Sequence, residues 1–136
     1  MPEEAATPAS ERRLTGSEAI LLVDDDEMLR ELMRTILERY GYRVIEAANG
    51  AAALALCSRS DVEIDLLLTD LTMPELNGWE LGDVMAAARP KLRSLVVSGH
   101  GDGALRRRRG DRVNFLQKPF TPSALAHKVR EVLDQT

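Results

Sequence analysis

The sequence predicts an alternating α/β fold whose parallel sheet is covered by helices on both faces. The first observation is that five short, almost entirely apolar runs alternate with segments of helical periodicity. Runs of this kind are typical of strands that are buried on both faces. The second observation is the length of 136 residues with 44% hydrophobic residues, which suits one domain with a single core. Right-handed crossovers between such strands place helices on either side of the sheet.

The first strand and the helix after it have the clearest patterns. Residues 19–23 are entirely apolar and end in the acidic sequence 24–27, in which Asp26 and Glu27 are interpreted as helix-start acids. The helix is predicted to end at Gly41 and to bury one face. The residues of that face recur at helical spacing and are Leu29, Leu32, Met33, Ile36, Leu37 and Tyr40.

The next strand and helix have weaker patterns. Residues 42–47 are half polar and predict the second strand, and Asn49 suits the cap of a helix at 50–57. In this helix Leu54 and Cys57 are expected to face inward. Cys57 is the only cysteine, so it cannot form an internal disulfide and is expected to be a buried, unreactive thiol in a reducing compartment.

The third strand, at residues 64–69, leads into a loop that contains Pro74 and Gly78. A helix from about residue 79 to 89 follows, with Trp79 expected on its partly exposed surface. Its inward residues are predicted to be Leu81, Val84, Met85 and Ala88.

The last predicted elements are a strand at 95–98, a loop at 99–103, a short helix at about 103–109 and a strand at 113–117. The final helix starts with Thr121 as its cap and Pro122 in its first turn. The apolar stripe of this helix consists of Leu125, Val129, Val132 and Leu133.

Composition limits the compartment and the partners. Residues 1–17 are polar and are expected to form a flexible tail or linker, with the folded domain at 18–136. The sequence contains neither a membrane-spanning apolar run nor the apolar core of a signal peptide, so we expect a cytoplasmic protein without membrane contact. The net charge of −4 argues against general nucleic-acid binding. The run Arg106 to Arg109 is either a solvated face or a docking patch for an acidic partner or nucleic acid.

Four of the predicted strands end in side chains that suit a metal ion and a phosphate. Asp24 and Asp25 follow the first strand, Asp70 the third, Ser98 ends the fourth and Lys118 follows the fifth. The carboxyl ends of parallel strands meet at one edge of the sheet, where ligands bind. Clustered carboxylates repel one another unless a cation neutralises them, and hard oxygen ligands select Mg²⁺. An ammonium group and a hydroxyl beside such a site suit a phosphoryl group.

The nucleophile for a phosphoryl group is then expected to be a carboxylate. The sequence lacks a paired Ser-His or Cys-His arrangement and a phosphate loop of the G-x-x-x-x-G-K-[ST] type. The product would be an acyl phosphate on an aspartate.

These motifs resemble the receiver domain of two-component response regulators. The motifs are, in chain order, Asp24-Asp25, Thr69-Asp70, Met73-Pro74, Gly78, Val97-Ser98-Gly99 and Lys118-Pro119-Phe120. The resemblance covers about residues 18–134, and segment 115–122 is most similar to receivers at the carboxyl end of hybrid sensor histidine kinases. It implies a flavodoxin-like three-layer sandwich with five helices and a five-stranded parallel sheet of order 2-1-3-4-5. The chain could be a free single-domain regulator or part of a larger sensor kinase.

The resemblance also implies the roles of the site residues. Asp70 would accept the phosphoryl group from a phosphohistidine in a reaction that depends on Mg²⁺ or Mn²⁺, and Lys118 and Ser98 would bind that group. Asp25 and Asp70 would ligate the metal directly, and Asp24 mainly through water.

Three further features follow from the same resemblance. The backbone carbonyl of Thr72 would complete the metal ligands, and the Lys118-Pro119 peptide would be cis. Phe115 would be the aromatic switch residue that follows Ser98. The output face would comprise the helix at 103–109, the fifth strand and the final helix.

The implied partners are a histidine kinase or a histidine phosphotransfer domain and an unidentified downstream protein, with the chain a monomer or weak dimer. The chain would be a signalling phosphoacceptor and no enzyme, since it would catalyse only its own phosphorylation and dephosphorylation.

Two other functions fit parts of the sequence. Residues 20–26 also fit the apolar strand and Asp-x-Asp motif of aspartate-nucleophile phosphatases, in which Asp24 would attack and Asp26 would act as the acid. No later acidic pair follows a strand, and Asp70 would be unexplained. The other alternative is a degenerate receiver that serves as a scaffold without phosphate. His100 and His127 are expected to be exposed and to be no phosphate relays.

Overall fold

The computed structural model describes residues 14–99 and 114–135. Strands and helices alternate in the order β1 (Ala19–Val23), α1 (Glu27–Arg39), β2 (Arg43–Ala47), α2 (Gly50–Cys57), β3 (Leu66–Asp70), α3 (Gly78–Ala88), β4 (Arg93–Ser98), β5 (Phe115–Gln117) and α4 (Pro122–Leu133). All strands pair in parallel in one sheet of order β2-β1-β3-β4-β5, which confirms the predicted class and strand order. Four helices lie in the described residues. The predicted helix at 103–109, Arg106 to Arg109 and His100 lie outside them.

Alternate residues of β1 pack on opposite faces of the sheet, because successive side chains of a strand point in opposite directions. Ile20 and Leu22 belong to a core with residues of α1 and α4. Leu21 and Val23 belong to a second core with residues of α2 and α3. The molecule is therefore a three-layer sandwich in which the sheet is covered on both faces.

Polar side chains begin every described helix. The predicted caps Asn49 and Thr121 accept hydrogen bonds from the first turns of α2 and α4, and the helix-start acid Asp26 caps α1 in the same way. Asn77, which was not predicted as a cap, forms a capping box with Glu80 at the start of α3. These caps satisfy backbone N–H groups that have no partner within the helix.

The buried face of two helices differs from the prediction. Leu32 of α1 was expected in the core but is 55% exposed, because α1 packs through Met33, Ile36 and Leu37 instead. In α3, Val84 and Ala88 were also expected inside, but both are exposed.

The orientation of α3 follows from the close approach of Gly82 to the sheet. Gly82 faces β4, where an added Cβ would lie 3.2 Å from the hydroxyl of Ser94. This close approach points Gly82 and Met85 inward and directs Val84 to solvent. The same orientation buries Trp79, which was expected on the partly exposed surface but is 6% exposed.

The last residues of the expected flexible tail are attached to the fold. Leu14 is buried, and its carbonyl accepts a hydrogen bond from the hydroxyl of Tyr42 at 3.1 Å. The guanidinium of Arg130 on α4 donates to the carbonyl of Thr15 at 3.2 Å. Leu14 and Thr15 therefore contact the fold, and the domain boundary at residue 18 stays a prediction. Within the described part of the chain, no helix has the length and apolar character to span a membrane.

Candidate functional site

Three carboxylates meet at the carboxyl edge of the sheet. Asp24 follows β1 and Asp70 ends β3, and these strands are neighbours whose register pairs Val23 with Thr69. One carboxylate oxygen each of Asp24, Asp25 and Asp70 lies within 4.8 Å of the other two. Asp24 is 2% exposed and Asp70 is 9% exposed, whereas Asp25 is open to solvent. The sequence prediction that these side chains converge is therefore supported by the geometry.

Lys118 and Asp70 form an ion pair at this edge. The Nζ atom of Lys118 lies 3.2 Å from Oδ1 of Asp70. The backbone holds Lys118 there, because its N–H donates to the carbonyl of Ser98 at 2.7 Å. The peptide bond between Lys118 and Pro119 is cis.

Burial opposes the negative charge of the two inner carboxylates. Removal from water raises the pKa of Asp24, and the charge of nearby Asp70 raises it further, although the N–H of Asp26 donates to Asp24 Oδ1 at 2.8 Å. Burial also raises the pKa of Asp70, against the opposite influence of Lys118. One ammonium group cannot neutralise three carboxylates, so the ionised cluster retains net negative charge. Oxygen donors with excess negative charge suit a divalent cation of the Mg²⁺ type.

Ser98 places a buried hydroxyl at the same edge. It ends β4, whose register pairs Val97 with Asp70 on the neighbouring strand. The side chain is fully buried, and its Oγ has no hydrogen-bond partner among the described residues. An unpaired buried hydroxyl costs free energy, which a ligand oxygen at this edge would recover.

Gly78 brings α3 close to the site. Its N–H donates to the carbonyl of Leu71 at 2.9 Å, and an added Cβ would lie 2.5 Å from the backbone oxygen of Asp70. Only glycine fits at this distance. The loop between these residues contains the exposed Thr72, whose carbonyl was predicted as a metal ligand. Phe115, the predicted switch residue, is half-buried on β5 opposite Val96.

Among the described residues, Asp26 and His127 are not part of the carboxylate group formed by Asp24, Asp25 and Asp70. Asp26 caps α1 by accepting a hydrogen bond from the N–H of Leu29 at 3.2 Å. This side chain therefore serves as the cap of the helix. His127 is exposed on α4, as expected.

Sequence reasoning missed Arg30, which contacts the acidic pair. Its Nη1 donates to the backbone carbonyl of Asp24 at 2.7 Å. An arginine within an amphipathic helix carries no sequence signal for such a role, because the contact depends on how α1 packs beside β1.

Comparisons with known proteins agree with the geometry. The family model described as "Response regulator receiver domain" matches residues 20–130. The chain is 32% identical to the sensor kinase CckA of Brucella abortus, over 98% of this chain but 15% of that protein. It is also 32% identical to a chemotaxis protein CheY homolog of Campylobacter jejuni, over 84% of this chain and 91% of that protein.

Solved structures give the same result. A CheY-like response regulator receiver domain protein from Methanospirillum hungatei superposes with a TM-score of 0.74 at 30% identity, covering 88% of this chain and 95% of that chain. The chain spans only a small part of some relatives, 26% in the transcriptional regulatory protein GlrR of Escherichia coli.

Proposed function

The chain belongs to the response regulator receiver domain family of two-component systems, and on that premise we propose that Asp70 accepts a phosphoryl group from a phosphohistidine. The donor would be a histidine kinase or a histidine phosphotransfer domain. The observation that carries the proposal is the convergence of Asp24, Asp25 and Asp70 beside the ammonium group of Lys118. A cytoplasmic monomer or weak dimer that serves as a signalling phosphoacceptor is part of the same proposal.

The acidic cluster suits the cation that this reaction requires. Asp24, Asp25, Asp70 and the backbone carbonyl of Thr72 would hold Mg²⁺ or Mn²⁺, since hard oxygen donors of net negative charge favour such ions. When bound, the cation supplies positive charge to the oxygens of the phosphoryl group.

Asp70 acts as the nucleophile in the proposed reaction. A carboxylate oxygen of Asp70 bonds to phosphorus as the bond between phosphorus and the donor imidazole breaks, and the imidazole leaves with the bonding electron pair. The product is an acyl phosphate on Asp70. Little further covalent chemistry is needed, because positioning and charge stabilisation dominate phosphoryl transfer.

Lys118 and Ser98 bind the phosphoryl group in this proposal. Lys118 Nζ, 3.2 Å from Asp70 Oδ1, is placed to pair with the phosphoryl oxygens as they arrive at that carboxylate. The buried hydroxyl of Ser98 has a proton to donate and no partner in the described part of the chain. A hydrogen bond from Ser98 to a phosphoryl oxygen would satisfy it.

The proposed output passes from Ser98 to the neighbouring strand. Its backbone carbonyl accepts from the N–H of Lys118, and Phe115 pairs with Val96 two residues before Ser98. We propose that phosphorylation alters β5, α4 and the predicted helix at 103–109, which would bind the unidentified downstream partner.

Intact mass spectrometry tests the proposal. The wild-type chain is incubated with a small acyl-phosphate donor and Mg²⁺, in parallel with Asp70→Asn and with a chelator. We expect one phosphoryl adduct on the wild type and none in the other two samples. A scaffold receiver would give no adduct at all, and an adduct that persists in Asp70→Asn would contradict the assignment of Asp70. Phosphate-ester hydrolysis that only Asp24→Asn abolishes would support the phosphatase instead.

A further inference from the structure

Arg30 connects α1 to the peptide group between Asp24 and Asp25. Its Nη1 donates to the Asp24 carbonyl at 2.7 Å, and its Nε donates to Oε1 of Glu46 at 3.0 Å. The side chain is 15% exposed, so both bonds are largely shielded from water. We propose that Arg30 is a positioning residue, which holds this acidic pair in the orientation that binds the divalent cation. The inference rests on the proposed function of the pair.

The acidic pair needs such a restraint because its two side chains are consecutive in the chain. Consecutive residues of an extended strand point to opposite faces. Asp24 and Asp25 nevertheless both bring a carboxylate oxygen within 4.8 Å of one on Asp70. The backbone must therefore turn at the peptide between them, and mutual repulsion of the carboxylates opposes that turn.

Three contacts hold Asp24 on different sides. Its N–H donates to the carbonyl of Ala47 at 3.2 Å, and its Oδ1 accepts from the N–H of Asp26 at 2.8 Å. Arg30 binds the remaining polar group, the carbonyl. Because the peptide group is planar, fixing this carbonyl fixes the plane from which the Asp25 backbone continues. The donor is charged, so this bond is stronger than one between neutral groups.

Glu46 anchors Arg30 from β2. Glu46 pairs with Leu22 of β1, which lies two positions before Asp24. The second carboxylate oxygen of Glu46 accepts from Nη1 of Arg34 at 2.6 Å. Two arginines of α1 therefore hold the Glu46 carboxylate. In the described part of the chain, Arg30 also donates to the Asp24 carbonyl, whereas no such bond is formed by Arg34.

Arg34 provides a matched control. It has the same charge, the same helix and the same partner as Arg30, one turn further along. A purely electrostatic role of Arg30 and a positioning role predict opposite changes in the affinity for the cation. Loss of a nearby positive charge alone strengthens binding of a cation, whereas loss of a positioning contact weakens it.

Calorimetric titration of the full chain with MgCl₂ tests the inference. We compare the wild type, Arg30→Met and Arg34→Met, which both remove a charge and keep a long apolar stem. Arg30→Met should bind Mg²⁺ about 10-fold more weakly or worse, as is usual when a residue that orients a metal ligand is lost. Arg34→Met should stay within about twofold of the wild type, as for a partly exposed ion pair.

The outcomes separate this inference from the proposed function. Failure of the wild type to bind Mg²⁺ overturns both. If the wild type binds Mg²⁺ but Arg30→Met and Arg34→Met have equal affinities, only the positioning role is overturned. Tighter Mg²⁺ binding by Arg30→Met than by the wild type overturns it as well. If Arg30→Met does not fold, Glu46→Gln takes its place, because it loosens the anchor of Arg30. Glu46→Gln should bind Mg²⁺ more weakly than Arg34→Met, and equality would overturn the inference.

Discussion

Asp24 and Asp70 are carboxylates whose surroundings oppose their charge. Burial raises the pKa of both above the ordinary value of 3.8. A raised pKa means that the folded state binds the proton more tightly than the unfolded state. The free energy of unfolding therefore falls as pH rises from the ordinary pKa through the folded-state pKa. At neutral pH the ionised site costs stability, and a bound cation would offset that cost.

Asp24→Asn should stabilise the metal-free protein. The amide keeps an oxygen for the N–H of Asp26 but removes the buried charge. We expect the free energy of unfolding at pH 7 to rise by about 1 kcal/mol, within the range of stabilising substitutions, in urea denaturation without Mg²⁺. Glu31→Gln removes a charge from an exposed position of α1 and should leave stability nearly unchanged. A loss of stability in Asp24→Asn would contradict this interpretation of the buried charge.

The loop between β3 and α3 joins Asp70, the proposed nucleophile, to the helix that packs beside it. Gly78 begins α3 and donates to the Leu71 carbonyl, so the helix starts directly against the end of β3. An added Cβ would approach backbone atoms of Asp70 and Leu71, which cannot move aside as a flexible side chain can. The backbone conformation of this loop therefore requires a glycine at position 78.

Gly78→Ala should destabilise the fold and disturb the site. An added methyl group 2.5 Å from the Asp70 oxygen forces the strand and helix apart, which costs about 1 to 3 kcal/mol. Gly99→Ala is the matched control, because an added Cβ there meets no atom of the described residues within 4 Å. Thermal and urea denaturation of both variants provide the comparison. Equal stability of the two would show that the loop tolerates the side chain.

Some features of the fold and the site can be predicted from a short stretch of sequence, whereas others depend on how distant elements pack. Strands such as β1 are predictable because burial on both faces requires a continuous apolar run. The polar residues Asp24, Asp70, Ser98 and Lys118 are predictable because parallel strands deliver their ends to one edge. The orientation of α3 was not predictable, since periodicity counts apolar side chains whereas Gly82 makes the closest approach. The role of Arg30 depends on packing between elements and has no local pattern.

The two ends of the described chain are held together by one ion pair. Oε2 of Glu18, just before β1, lies 2.6 Å from Nη2 of Arg130 on α4. Arg130 also donates to the hydroxyl of Tyr42 and to the carbonyl of Thr15. These contacts attach Thr15 and Glu18, which precede β1, to the last helix.

Glu18→Gln should lower stability in a pH-dependent way. The hydrogen bond with Arg130 lowers the Glu18 pKa below its ordinary 4.5, so its contribution is present above that pH and is lost as pH falls through the folded-state pKa. At pH 7 we expect the wild type to be more stable by about 1 kcal/mol, since the pair is partly exposed. In urea denaturation across pH, the two curves should converge below pH 4.5. A difference that persists in acid would contradict the ion-pair explanation.

Glu38→Gln is the control for that comparison. Glu38 lies 3.9 Å from Arg34 and both side chains are more exposed than the Glu18 and Arg130 pair. Its replacement should change the free energy of unfolding little at any pH.

Chemical trapping tests the proposed site of phosphorylation. After incubation with an acyl-phosphate donor and Mg²⁺, borohydride reduces an aspartyl phosphate to homoserine, and peptide mapping identifies the converted residue. We expect homoserine at position 70, with Asp24 and Asp25 unchanged. Homoserine at position 24, or phosphate recovered on His127 with Asp70 intact, would contradict the assignment of Asp70 as the phosphoacceptor.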